Sequence, residues 1–172
     1  RRSPGRPLMS TIFVNEAFSV SHREHASVVG VPKFLPSFVG MQFALEVKEL
    51  SKVFYPKRPF LLILGGVKFD TKLPLLEKFI NIADSIFVGG ALANNFFKAK
   101  GINVGASVVD GSVDSSLESD KIVLPNDMLV AKDKTGDLPV SISAVKDIAE
   151  DELIVDIGPE AIKEFPEIIK NS

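Results

Sequence analysis

One unit occurs twice in this chain and limits its folding options more than any other feature: an unbroken apolar run that ends in Gly-Gly and leads into a helix-like segment. Residues 60–64 (FLLIL) end at Gly65-Gly66, and residues 84–88 (DSIFV) end at Gly89-Gly90. A run that is apolar at successive positions, not alternate ones, marks a strand covered on both faces, as in a parallel sheet. Parallel neighbours need a crossover of a dozen or more residues, normally a helix. The pattern therefore predicts an α/β fold. Two Gly-Gly turns at adjacent strand ends would also set backbone amides side by side, with no side chain to keep a phosphate or a flat ring away.

The other segments are read against that unit. Residues 12–14 (IFV) form a short buried strand that ends at Asn15, followed by the polar segment 19–30 with His22, Arg23 and His25. Loops after strand ends are free to vary over a rigid scaffold, so Arg23 is a candidate for a two-pronged contact with a carboxylate or phosphate. The alternative is a surface ion pair to Glu16 or Glu24. No Ser, His and Asp order supports a catalytic triad. Pro32 and Pro36 make residues 30–40 extended or turning. Phe43, Val47, Leu50 and Phe54 then recur at helical spacing until Pro56, which suits either a connector between lobes or an ordinary core helix.

After the first Gly-Gly pair, Pro74 belongs in the first turn of a helix, so that helix is expected to begin near Lys72, with Leu75, Leu76, Phe79 and Ile80 as its buried face. Residues 91–100 predict a second helix with Gly101 as a left-handed cap. Residues 110–119 (DGSVDSSLES) read as a loop, and residues 122–124 and 128–131 as short strands. Residues 140–148 have no clear assignment. A last strand at 153–157 leads through Gly158-Pro159 into a helix that Pro166 should kink or end.

Lys68 and Lys72 are the sharpest chemical signal. Like charges four residues apart on a helix destabilise it by about 0.2–0.5 kcal/mol. Positive charge at a helix N-terminus adds roughly 0.3–1 kcal/mol at exposed sites. A bound polyphosphate removes both terms, because it accepts charge-assisted hydrogen bonds from the ammoniums and from free amides. The competing interpretation is two solvated lysines pointing apart, with Asp70 as partial neutraliser. The stretch lacks the Gly-Lys-Ser/Thr ending of the common phosphate loop, and neither glycine pair forms GxGxxG.

Composition narrows the partners. Twenty Lys and Arg against 22 Asp and Glu give a net charge of -2, which argues against broad binding of nucleic acid or an anionic membrane. With no Cys there is no disulfide framework and no thiolate site. No apolar run has the roughly 18–20 residues a bilayer needs, and the basic start RRSPGRPLMS lacks the h-region of a secretory signal. A cytoplasmic protein is expected.

Four segments in the same order resemble the phosphoglycerate kinase family. VNEAFSVSHREHASVVG (14–30) is similar to its VNDAFGTAHRAHAS segment, and RPFLLILGGVKFDTK (58–72) to its RPFxAILGGAKVxDK. VGGALANNFFKAKG (88–101) resembles GGGMAxTFLKA, and VDIGPEAI (155–162) resembles LDIGPxT. The resemblance implies two three-layer, doubly wound (Rossmann-like) lobes joined by a helix, present here incompletely. Residues 1–36 would be the tail of the phosphoglycerate-binding lobe, 37–55 the interdomain helix and 56–172 part of the nucleotide-binding lobe.

The activity it implies is reversible phosphoryl transfer between ATP and 3-phosphoglycerate in glycolysis, with 1,3-bisphosphoglycerate and ADP on the other side. The cofactor would be Mg-ATP or Mg-ADP, and the full-length parent a monomer. Matched positions assign Arg23, with His22 beside it, to phosphoglycerate. They assign Lys68 to the phosphoryl group in flight, Lys72 to nucleotide phosphates, and Gly66, Val67, Gly89 and Gly90 to the adenosine pocket. Val67 stands where the family usually has Ala, and Ala91 where its third Gly lies, so a tighter pocket is expected. The family's other arginines, its ribose-binding Asn and Glu, and its Gly-Gly-Asp-Thr magnesium turn are not in these residues, apart from Arg1 or Arg2 as a remnant of one arginine. A fragment with little turnover of its own is therefore expected, with a non-catalytic nucleotide-binding module as the alternative.

Overall fold

The computed structural model describes residues 11–111, 119–135 and 137–171. The chain divides into two compact units, Arg1–Pro56 and Lys57–Ser172. Arg1 and Arg2, and most of the 110–119 loop, lie outside the described residues.

In the first unit, strand β1 (Phe13–Asn15) pairs in parallel with β2 (Ser37–Val39), and helix α1 (Met41–Ser51) follows. Glu16, just past β1, reaches across to α1, where its carboxylate accepts the Phe43 amide at 2.9 Å. Gly40 is the N-cap residue of α1, and a Cβ there would collide with that same carboxylate. Phe18 packs edge-on against Phe43, with ring centroids 5.3 Å apart. The helix expected to run to residue 54 tightens to a 3-10 turn at Lys52–Phe54, because Pro56 disfavours helical backbone just before it. Its apolar stripe is not a core stripe: Phe43 is half-buried, while Val47, Leu50 and Phe54 stay exposed.

The second unit holds strands β3 (Leu61–Leu64), β4 (Ser85–Val88) and β5 (Ile122–Val123), paired in parallel in that order. Helix α2 (Phe69–Phe79) links β3 to β4, and α3 (Ala91–Ala99) follows β4. This is the predicted α/β arrangement with a parallel sheet. Burial follows strand position: Ile86, Phe87 and Val88 of the central strand are all buried, while Ile63 on the outer strand is exposed. The expectation of cover on both faces thus holds for β4 and fails for β3.

Two helix boundaries differ from expectation for one reason. Helix α2 begins at Phe69, not near Lys72, and Pro74 lies inside it. Phe69 is fully buried with Leu76, and Leu73 and Ile80 pack on the same core, so residues 69, 73, 76 and 80 form the inward stripe and Leu75 is displaced from it. Burial of the Phe69 ring outweighs the amide hydrogen that Pro74 cannot give to Asp70. The last helix, α4 (Pro159–Lys170), likewise runs through Pro166, with Phe165 edge-on to Phe87 at 4.2 Å between centroids.

A second sheet was not anticipated. β6 (Asp127–Ala131) pairs antiparallel with β7 (Ser141–Ala144) on one side and β8 (Leu153–Ile157) on the other. Residues 132–140 are too few for a helical crossover, so the return strand runs antiparallel. The unassigned 140–148 segment is β7 plus a 3-10 turn at Val145–Asp147. Both sheets contribute to one core, in which Leu64, Ile86, Val88, Leu92, Phe96, Met128 and Val130 cluster.

Two buried or bridging acids fasten this unit. Asp127 accepts the Glu160 and Ala161 amides at 2.9 and 2.8 Å, capping α4, and a Cβ on Gly158 would collide with its carboxylate. Asp84 accepts the Phe60 amide at 2.7 Å and pairs with Arg58, tying the start of β3 to the start of β4. The hydrogen bond from Phe60, and then Arg58, hold the Asp84 carboxyl below the usual carboxylate range.

Replacing Asp127 with Ala should lower stability by about 2 kcal/mol, the upper end for loss of a helix cap, and Gly158→Ala should be at least as damaging. Urea unfolding followed by far-ultraviolet circular dichroism measures both. For Asp84 the folded-state pKa is depressed, so its contribution is present above the unfolded-state value and is lost as pH falls through the folded-state value. Acid unfolding of Asp84→Asn should accordingly be less steep than that of the parent below about pH 4.

Candidate functional site

The carboxyl ends of β3 and β4 lie level, with Leu64 opposite Val88 and the Gly89 amide donating to the Leu64 carbonyl at 2.9 Å. That register sets Gly65-Gly66 beside Gly89-Gly90. A Cβ on Gly65 would stand 3.5 Å from the Gly89 carbonyl oxygen, and one on Gly90 3.5 Å from the Gly66 nitrogen. Gly66 has φ +135° and Gly90 has φ +61°. With ψ at -161°, Gly90 occupies a region open essentially to glycine alone.

The lysines frame this floor. Lys68 is the N-cap residue of α2 and makes no side-chain cap; its carbonyl accepts the Thr71 hydroxyl at 3.0 Å. Lys72 is one turn further on, half-buried, with its Cε 3.5 Å from where a Gly66 Cβ would stand. Its stem therefore lies along the first glycine turn. Among the described residues neither ammonium has an ion pair or a side-chain hydrogen bond. Asp70, in the first turn of α2, pairs with neither lysine. Val67 is 56% exposed beside them.

Helix α3 leaves Gly90 without a side-chain cap. Beside its first residue, Ala91, a cavity is lined by Val108, Asp133, Lys134, Leu153 and Val155 among others. The structure thus brings together Gly66, Gly89, Gly90 and Lys72, with Lys68 and Val67 at the edge of the same turn. Asn94 and Asn95 are not among the residues singled out by sequence. Both are buried in α3: Asn94 donates to the Val108 carbonyl at 3.0 Å, and Asn95 accepts the Asp110 amide at 3.1 Å. Two amides inside an apolar helix were the available signal, since buried polar groups are there to bond something.

Arg23 and His22 belong to the first unit, where both are exposed in the turn after Phe18–Val20. Glu16 serves the α1 terminus, and among the described residues Arg23 makes no ion pair, so the surface-pair alternative for it is not realised. Among the described residues no three His, Cys, Asp or Glu converge as a metal-binding set, and no residue is assigned to magnesium.

A methyl group at Gly90 forces an L-residue into glycine-only backbone. Gly90→Ala should therefore lose about 1–3 kcal/mol of stability in urea unfolding, whereas Ala at Gly101, whose Cβ would meet nothing within 4 Å, should lose about 1 kcal/mol.

Comparison with known proteins gives a consistent answer. The family model described as phosphoglycerate kinase matches residues 7–172. The phosphoglycerate kinase of Coprothermobacter proteolyticus is 39% identical over 167 residues, covering 91% of this chain and 42% of that protein. That of Finegoldia magna is 40% identical over 174 residues, covering 95% and 44%. Among solved structures, phosphoglycerate kinase from Coxiella burnetii superposes with a TM-score of 0.75 at 29% identity, over 92% of this chain and 44% of that one. The chain spans less than half the length of the relatives it matches. No helix among the described residues is long and apolar enough to cross a membrane. Glycine turns, flanking lysines and family match agree, and the chain belongs to the phosphoglycerate kinase family.

Proposed function

We propose that the whole protein transfers a phosphoryl group reversibly between ATP and 3-phosphoglycerate, with a carboxyl group as acceptor, and that this chain carries part of its nucleotide side. In the direction that makes ATP, the acyl phosphate P–O bond of 1,3-bisphosphoglycerate breaks. A β-phosphate oxygen of ADP forms the new bond, and the carboxylate of 3-phosphoglycerate leaves. Catalysis of such a transfer is mostly positioning and neutralisation of charge on the equatorial oxygens. Lys68 Nζ is assigned to the group in flight and Lys72 Nζ to the nucleotide phosphates, while Gly66, Val67, Gly89 and Gly90 give the adenosine a wall without side-chain bulk. Arg23 and His22 are assigned to phosphoglycerate. Magnesium enters with the nucleotide, as Mg-ATP or Mg-ADP.

The observation that carries this reading is the pair of lysines, without an ion pair among the described residues, flanking an uncapped helix start on a glycine floor. Local stability alone favours acids there. In domain terms, residues 1–36 are assigned to the phosphoglycerate-binding lobe, 37–55 to the interdomain helix and 56–172 to the nucleotide lobe, in a monomeric cytoplasmic enzyme. A second reading, a nucleotide-binding module without phosphoryl transfer, is favoured by one contrast. The residues assigned to nucleotide lie in the unit with a packed core, whereas in the first unit Gly40 alone is buried among the described residues.

Calorimetric titration of this chain with ADP should show saturable binding, weakened about tenfold by Lys72→Ala, the loss of one charge-assisted hydrogen bond. Affinity unchanged by the substitution would remove Lys72 from the site. A coupled assay on the same chain should show no phosphoryl transfer; ordinary turnover would exclude the module reading.

A further inference from the structure

We propose that Asn95 is a positioning residue for Lys68: it holds residues 110–111 against the first turn of α2, where Gly111 keeps the Asp70 carboxylate from pairing with the Lys68 ammonium. This rests on the nucleotide reading above and concerns how the phosphate side of that site keeps its charge.

Asn95 is 2% exposed in the middle of α3. Its Nδ2 faces its own helix, 3.4 Å from the Ala91 and Leu92 carbonyls, and its Oδ1 accepts the Asp110 amide at 3.1 Å. The opposite orientation would set oxygen against carbonyl oxygens and one N–H donor against another. Asn94 holds the same segment two residues earlier, through the Val108 carbonyl at 3.0 Å. Neighbouring side chains of one helix thus fix residues 108–110, a stretch that belongs to no helix or strand.

The next residue meets α2. Gly111 has φ +109°, and a Cβ there would stand 3.2 Å from Phe69 Cδ1 and 3.5 Å from Asp70 Oδ1. Phe69 is fixed in its own right, fully buried and edge-on to Phe96 of α3 at 6.3 Å between centroids. Asp70 is exposed, and it is the acid of the first turn of α2. Helical spacing turns it away from Lys72, because residues two apart do not face each other. Lys68 escapes that rule. As the N-cap residue it has extended backbone, with ψ 103°, and its long stem can bring the ammonium to a carboxylate two residues on. Such a pair would withdraw one of the two charges offered to phosphate. Among the described residues it does not form, and the Asp70 carboxylate lies beside Gly111 instead. Asp110, also exposed, makes no ion pair there either.

The test is calorimetric titration of this chain with ADP at about 0.15 M salt. Asn95→Leu keeps the buried volume but takes the acceptor from the Asp110 amide. It should weaken ADP about fivefold, the upper range for an exposed ion pair formed in competition. Adding Asp70→Asn should restore the parent affinity, which a purely structural defect would not allow. In the parent chain Asp70→Asn alone should change affinity by no more than about twofold, since the acid is already held off and salt screens the remainder. A larger gain would show that Asp70 neutralises Lys68 in the parent and would overturn the inference without any buried substitution. Unchanged affinity in Asn95→Leu, a loss that Asp70→Asn does not restore, or rescue by Asp110→Asn in its place would each overturn it while leaving the nucleotide site intact. Absence of saturable binding to the parent chain would overturn the nucleotide reading and this inference together. Circular dichroism checks that the variants fold.

Discussion

Everything at the candidate site depends on the in-register parallel pairing of β3 and β4. Because Leu64 stands opposite Val88, the two glycine pairs leave the sheet at one level, and each helps to position the other. A slip of one residue would turn every side chain of a strand to the other face. The fully buried Ile86 and Val88 of β4 resist such a slip, and the Asp84 carboxylate, bonded to the Phe60 amide, anchors the opposite end of the pair. Close packing in the core thus fixes the backbone geometry of the candidate site at the surface.

The parallel units were legible because burial leaves an unbroken apolar signature, and β4 is the clearest case. Where sequence and structure part, a tertiary contact overrides a local rule. Pro74 pointed to a helix starting near Lys72, yet the fully buried Phe69 ring draws the start back by a turn. Pro166 sits inside α4 because Phe165 packs on Phe87. The antiparallel sheet was illegible because Ser141–Ala144 is short and half exposed, so it carries almost no apolar pattern.

At the site, the glycines and lysines could be found because their residue types are uncommon in those positions. Asn94 and Asn95 carried a weaker signal, two amides in an apolar helix, and their bonding partners, the Val108 carbonyl and the Asp110 amide, are set by tertiary contact. The capping acids Glu16 and Asp127 were hidden in the same way, since each bonds amides 27 or more residues further on.

Those caps sharpen the electrostatic contrast among the α-helices of the described residues. The starts of α1 and α4 are each closed by a carboxylate from the chain itself, seated where the Cβ of Gly40 or Gly158 would stand. The starts of α2 and α3 receive no side-chain cap from the described residues, and they are the two that follow the glycine turns. Free amides at a helix start favour a negative group, and this chain supplies its own at α1 and α4. At α2 it supplies only Asp70 within the first turn and adds Lys68 and Lys72, which raise the positive potential further. An anion from outside would lower the energy of an open helix start. The open start of α2 with its lysines, against the closed starts of α1 and α4 with acids, accordingly suits a polyphosphate ligand better than two solvated surface lysines.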